Sequence, residues 1–200
     1  MSLVTRHPAP EARARFVAAD DGIEFKFTEG AVQIAVALAL LEDSRSCGSA
    51  EIYPDGEHAK RFSIKKFLKE QGFSFVQNPR TTTDYAGTYK RGTSSLIVNP
   101  KAVHGQGDVV AKINDVTVRV ECKGGTINSK HAGVQSKLRS GFAELIGQAM
   151  AMDDNGDRHV IALPLTDLTK KQAKRLSARC LKAGIEIALV REDGSLLWVA

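Results

Sequence analysis

Asp108, Glu121 and Lys123 are the residues of this chain whose types and spacing could do chemistry. Gly107-Asp108-Val109-Val110-Ala111-Lys112-Ile113 and Val116-Thr117-Val118-Arg119-Val120-Glu121-Cys122-Lys123 read as the two arms of a β-hairpin about Asn114-Asp115. A two-residue turn pairs Ile113 with Val116, and that register sets Asp108 directly across from Glu121. Side chains alternate along a strand, so Val109, Ala111, Ile113, Val116, Val118, Val120 and Cys122 make one apolar core face. Asp108, Lys112, Thr117, Arg119, Glu121 and Lys123 make the other. Directly opposed carboxylates repel and cost stability unless a cation lies between them. Two carboxylates completed by water or a substrate phosphate are a usual way of holding Mg²⁺, and Lys123 adds a positive charge beside such a site.

The elements around the hairpin follow from periodicity and turn residues. Residues 1–21 are rich in Ala, Arg and Pro and read as an arm or short helix, followed by a short strand at Ile23–Phe27. Thr28 caps a helix to about Asp43, whose apolar run Ala31–Leu41 is too short to span a bilayer. Ser44–Gly56 is expected to be irregular, with a second helix from about Glu57 to Gln71 closed by Gly72. A strand at Phe73–Val76 leads into a long polar stretch, Gln77–Ser95, and a short strand at Leu96–Val98. After the hairpin, Gly124-Gly125 stops the strand, and a helix is expected over Ser129–Met152 with a break near Gly141. His159–Leu163, Ile185–Val190 and Ser195–Val199 read as strands, with a helix from Thr166 or Asp167 to Lys182. The expected fold is α/β, a mixed central sheet flanked by helices. Residues 57–200 form its core domain, and residues 1–56 an N-terminal helical extension.

Composition narrows the function classes. The 200 residues carry a formal net charge of +5, which favours a polyanionic partner. The three cysteines, Cys47, Cys122 and Cys180, lie far apart, and no Cys/His ligand spacing accompanies them. Neither a disulfide framework nor a zinc site is indicated, which fits a reducing, cytoplasmic setting. The first residues lack an apolar signal core, so a soluble chain without membrane partners is expected. No phosphate-binding loop, nucleophile elbow or dinucleotide fingerprint is present.

An Asp opening one hairpin strand and a Glu-x-Lys on the next, here Asp108 and Glu121-Cys122-Lys123, resembles the PD-(D/E)xK nuclease superfamily of restriction-endonuclease-like fold. Gly107 stands where the superfamily's name has Pro, and the resemblance covers residues 57–199. It implies an endonuclease that hydrolyses DNA phosphodiester bonds with Mg²⁺, or Mn²⁺ in its place. Asp108, Glu121 and the backbone carbonyl of Cys122 would hold the metal, and Lys123 would orient or help deprotonate the attacking water. Such nucleases often add an acidic residue from the first core helix, for which Glu57 is the candidate. A Gln from the helix after the hairpin is also common; Gln148 is the candidate, although Met152 stands where one branch has Tyr. Gln106, on the face of Asp108, is a further accessory candidate. Lys130, Lys137 and Arg139 are candidates for gripping the phosphates of DNA, and a homodimer would suit cutting of both strands. The alternative is a non-cleaving nucleic-acid-binding or structural module on the same fold. A third reading is an α/β interaction protein in which the acidic pair only decorates a solvated face.

Overall fold

The computed structural model describes residues 25–43, 48–54, 63–77, 83–101, 105–127, 129, 131–152 and 155–199. Its first half runs β1 (Phe25–Phe27), α1 (Glu29–Asp43), β2 (Ser49–Ile52), α2 (Ile64–Glu70), β3 (Ser74–Gln77), β4 (Gly87–Arg91) and β5 (Ser94–Val98). The second half runs β6 (Val109–Ile113), β7 (Val116–Cys122), β8 (Gly125–Ile127), α3 (Ala132–Met150), β9 (Arg158–Pro164), α4 (Asp167–Lys182), β10 (Ile185–Val190) and β11 (Leu196–Val199). Nine strands form one mixed sheet in the order β11-β10-β9-β7-β6-β2-β5-β4-β3, and β1 pairs with β8. The pairs β2/β5, β7/β9 and β9/β10 are parallel and the others in the large sheet antiparallel. The protein is thus α/β, with a mixed sheet flanked by helices.

The central hairpin takes the expected register, with Ile113 opposite Val116 and Val109 opposite Val120. Asn114 and Asp115 have φ of 49° and 65°, the pair of left-handed residues that a type I′ turn needs and that Asn and Asp tolerate. Val109, Ala111, Val118, Val120 and Cys122 are buried as the alternation predicts, but Val116, at the hairpin tip, is 45% exposed. α1 covers this face. It is apolar nearly all round, as a fully buried helix should be, and Ala31, Val32, Ile34, Ala35 and Val36 are each at most 1% exposed. The opposite face is covered over β9 and β10, where Phe142 and Leu145 of α3 and Ala173 of α4 pack on Ile161, Leu163 and Ile187.

Several expectations are corrected. β2 lies in the stretch expected to be irregular and occupies the middle of the sheet, between β6 and β5. Residues on both sides of position 56 therefore build one sheet. β4 lies inside the polar stretch Gln77–Ser95, because only Tyr89 and Gly87 turn fully inward while Lys90 stays in water. α2 begins after Ser63, whose Oγ accepts from the Lys66 N–H at 3.4 Å. The start expected at Glu57 lies outside the described residues. α3 runs without a break through Gly141. No helix among the described residues is long and apolar enough to cross a membrane.

Candidate functional site

The site forms where β6 begins and β7 ends. The Asp108 N–H donates to the Val120 carbonyl at 2.9 Å, and the Cys122 N–H donates to Asp108 Oδ2 at 2.8 Å. The strand pairing itself ends at Val109–Val120, and these two bonds hold the Asp108 carboxylate against the end of β7, beside Glu121. Gly107 has φ of 85°, which a proline ring cannot reach, so this backbone requires Gly where the motif's name has Pro.

The carboxyl groups of Asp108 and Glu121 are hydrogen-bonded to each other. Burial, then the Asp108 charge and the bond to it, then Glu29, push Glu121 up from 4.5 to about 7. Burial also raises Asp108, against the opposing pull of the Cys122 N–H, Lys123 and Glu121. The two groups titrate as a coupled pair rather than as separate carboxyls. Burial works to lower the Lys123 ammonium, but its bond to Glu144 and the charges of Glu29, Glu144 and Asp108 outweigh that and raise it. Lys123 is therefore a cation at neutral pH. Its Nζ lies 3.2 Å from Glu144 Oε1 and 3.9 Å from Glu29 Oε2.

Glu29 and Glu144 are the residues that motif reasoning missed. Glu29 opens α1 directly after Thr28, whose Oγ1 accepts from the Ala31 N–H at 3.3 Å. Gly124 brings that helix start to the end of β7. A Cβ on Gly124 would fall 2.5 Å from the Glu29 nitrogen and 2.7 Å from the Phe27 carbonyl oxygen. Both are backbone atoms that cannot step aside. Gly124→Ala should consequently cost about 1–3 kcal/mol by overpacking, read as a lowered melting temperature.

Glu144 belongs to a stripe on α3 that faces Lys123. A Cβ on Gly141, one turn earlier, would sit 3.2 Å from Lys123 Cγ, so this glycine clears the path of the lysine stem. The stem is flexible and can yield. Gly141→Ala should hence keep or raise the melting temperature, since Ala favours helix by up to about 1 kcal/mol over Gly, while moving the Lys123 ammonium. Nuclear magnetic resonance of the lysine side chain would register that movement.

The other candidates divide. Gln148 is exposed and lies one turn beyond Glu144 on α3. Lys137 is exposed one turn before Gly141, on the same stripe, whereas Arg139 lies about 200° round the helix from Gly141. Gln106 is engaged in anchoring its loop: its Oε1 accepts from the Tyr53 hydroxyl at 3.3 Å, and its carbonyl from Arg119 at 3.3 Å. Glu57 and Lys130 lie outside the described residues.

The donor set suits a hard divalent cation. Asp108 and Glu121 offer carboxylate oxygens close enough to share a proton, and a divalent cation in that proton's place would be held between two ionised carboxylates. Among the described residues, no group of three or more His, Cys, Asp or Glu side chains is gathered into a ready metal cage. Mg²⁺ needs none, because it keeps several waters and takes substrate oxygens. No family model, curated protein or solved structure matches this chain.

Proposed function

We propose that this chain is a divalent-cation-dependent endonuclease of restriction-endonuclease-like fold, acting on DNA phosphodiester bonds. The observation that carries the reading is the pair of touching carboxyls, Asp108 and Glu121, with the Lys123 ammonium beside them. Asp108, Glu121 and the Cys122 carbonyl would hold Mg²⁺ or Mn²⁺. When bound, the cation supplies charge neutralisation at the phosphate and makes water a stronger acid.

The chain's own residues do the rest. Asp108 is fixed by the Cys122 N–H, so its carboxylate is oriented before any ligand arrives. Lys123, held protonated by Glu29 and Glu144, serves as a hydrogen-bond donor and positive charge toward the phosphate rather than as a base. The net charge of +5 favours approach to a polyanion.

The test is incubation with supercoiled and linear DNA, with Mg²⁺, with Mn²⁺ and with chelator. Metal-dependent nicking or shortening is the expected result. Binding without cleavage in either metal would favour the non-cleaving module instead. Neither binding nor cleavage would leave the interaction-protein reading.

A further inference from the structure

On the face that carries Asp108 and Glu121, one row of the sheet is built from lysines and small hydroxyl residues. The register places Lys90 beside Ser95, Ser95 beside Ser49, Ser49 beside Lys112, and Lys112 beside Thr117. Five strands thus contribute one polar residue each at the same level. Interior sheet positions usually carry large apolar or aromatic side chains, and the small hydroxyl residues here leave a hollow. An open depression of about 850 Å³ lies over the row, lined by Ser49, Thr93, Ser95, Lys112, Thr117 and, from the hairpin turn, Asp115. Lys112 and Lys90 are exposed.

We propose that this depression is a second phosphate subsite, which grips the nucleic-acid backbone on one side of the bond held at the Asp108–Glu121 pair. The inference rests on the nuclease reading and extends it to a region that reading does not use. Lys112 supplies the charge, and the hydroxyls of Ser49, Ser95 and Thr117 supply neutral donors, a combination suited to a phosphodiester. Lys112 stands four residues from Asp108 along β6, about 13 Å at the usual strand rise. That distance corresponds to roughly four steps of a duplex strand along its axis. Asp115 opposes the ligand and weakens the grip.

The test is fluorescence anisotropy of a labelled DNA duplex, in metal-free buffer over a range of salt, with wild type, Lys112→Ala and Asp115→Asn. Lys112→Ala should weaken binding roughly threefold and flatten the salt dependence by about one counterion. Asp115→Asn should tighten binding, because it removes a like charge while Asn tolerates the left-handed backbone at that position. Inorganic phosphate, added at constant ionic strength, should not displace the duplex. Both variants should keep the wild-type melting temperature and the wild-type gain on adding Mn²⁺, which reports on the acidic pair. If wild type binds and cuts but the two variants match it in affinity and salt slope, the subsite is refuted and the nuclease reading stands. Displacement by phosphate alone would make it a small-anion site and refute the proposal. If wild type neither binds nor cuts DNA, the nuclease reading falls and the subsite falls with it.

Discussion

Glu121→Gln and Asp108→Asn should each abolish metal-dependent DNA cleavage, by at least about a hundredfold, while leaving the fold intact. Loss of a residue that merely supports a metal ligand already costs about 10–100-fold, and these two would be ligands themselves. The stability outcome separates this account from a structural one. Above about pH 7, where Glu121 loses its proton, it repels Asp108 in the metal-free protein, so Glu121→Gln should there melt at or slightly above wild type, by roughly 0.2–1 kcal/mol. Asp108→Asn keeps an oxygen for the Cys122 N–H and should be close to neutral. Lys123→Ala should behave differently: metal stabilisation retained, cleavage lost by about 10²–10³, because it removes charge at the phosphate rather than a ligand. Acidic variants that unfold would mark the carboxylates as structural acceptors.

The hairpin was legible in the sequence because two independent signals agree there: alternation of period two, and Asn114-Asp115 at the turn. Together they fix the opposition of Asp108 and Glu121 before any coordinates. Glu29 was not legible, because it comes to the site only through the close approach of α1 to Gly124, a contact between distant parts of the chain. Gly124 carried a signal, but a Gly-Gly pair after a strand reads equally well as a simple stop. Gly141 reads in the sequence as a helix break, whereas in the fold it clears room for the Lys123 stem inside a continuous helix. The inward-facing Ala50 and Ile52 of β2 are separated by Glu51, too short an alternation to stand out. Likewise the single inward Tyr89 of β4 is hidden among polar neighbours whose side chains face water. Short strands flanked on both sides in a sheet are specified by their neighbours, which local sequence does not display.

The second large effect is a coupling between pH and metal. Glu121 is protonated in folded and unfolded chains below about its ordinary 4.5. Between there and about 7 the unfolded chain ionises while the folded one keeps its proton. The pair's contribution to metal-free stability should therefore fall as pH rises through that window and level off above it. Glu121→Gln should remove that fall. Added metal reverses the trend, since it displaces the proton and favours the ionised pair. At a metal concentration a hundredfold above its dissociation constant, the wild-type melting temperature should rise by roughly 5–10 °C at pH 8. At pH 5.5 the same metal must compete with the bound proton, and the rise should shrink to roughly a third of that. A metal effect that is equal at both pH values, or that persists in Glu121→Gln, would place the cation elsewhere.

The most direct measurement is a calorimetric titration of Mn²⁺ into wild type and Glu121→Gln at pH 6.5, repeated in two buffers of different ionisation enthalpy. The difference between buffers counts the protons released on binding. The account predicts one bound Mn²⁺ per chain, release of roughly three-quarters of a proton in wild type, and at least about tenfold weaker binding without proton release in Glu121→Gln. Equal affinity and equal proton release in the two proteins would contradict it, as would the absence of any bound metal in wild type.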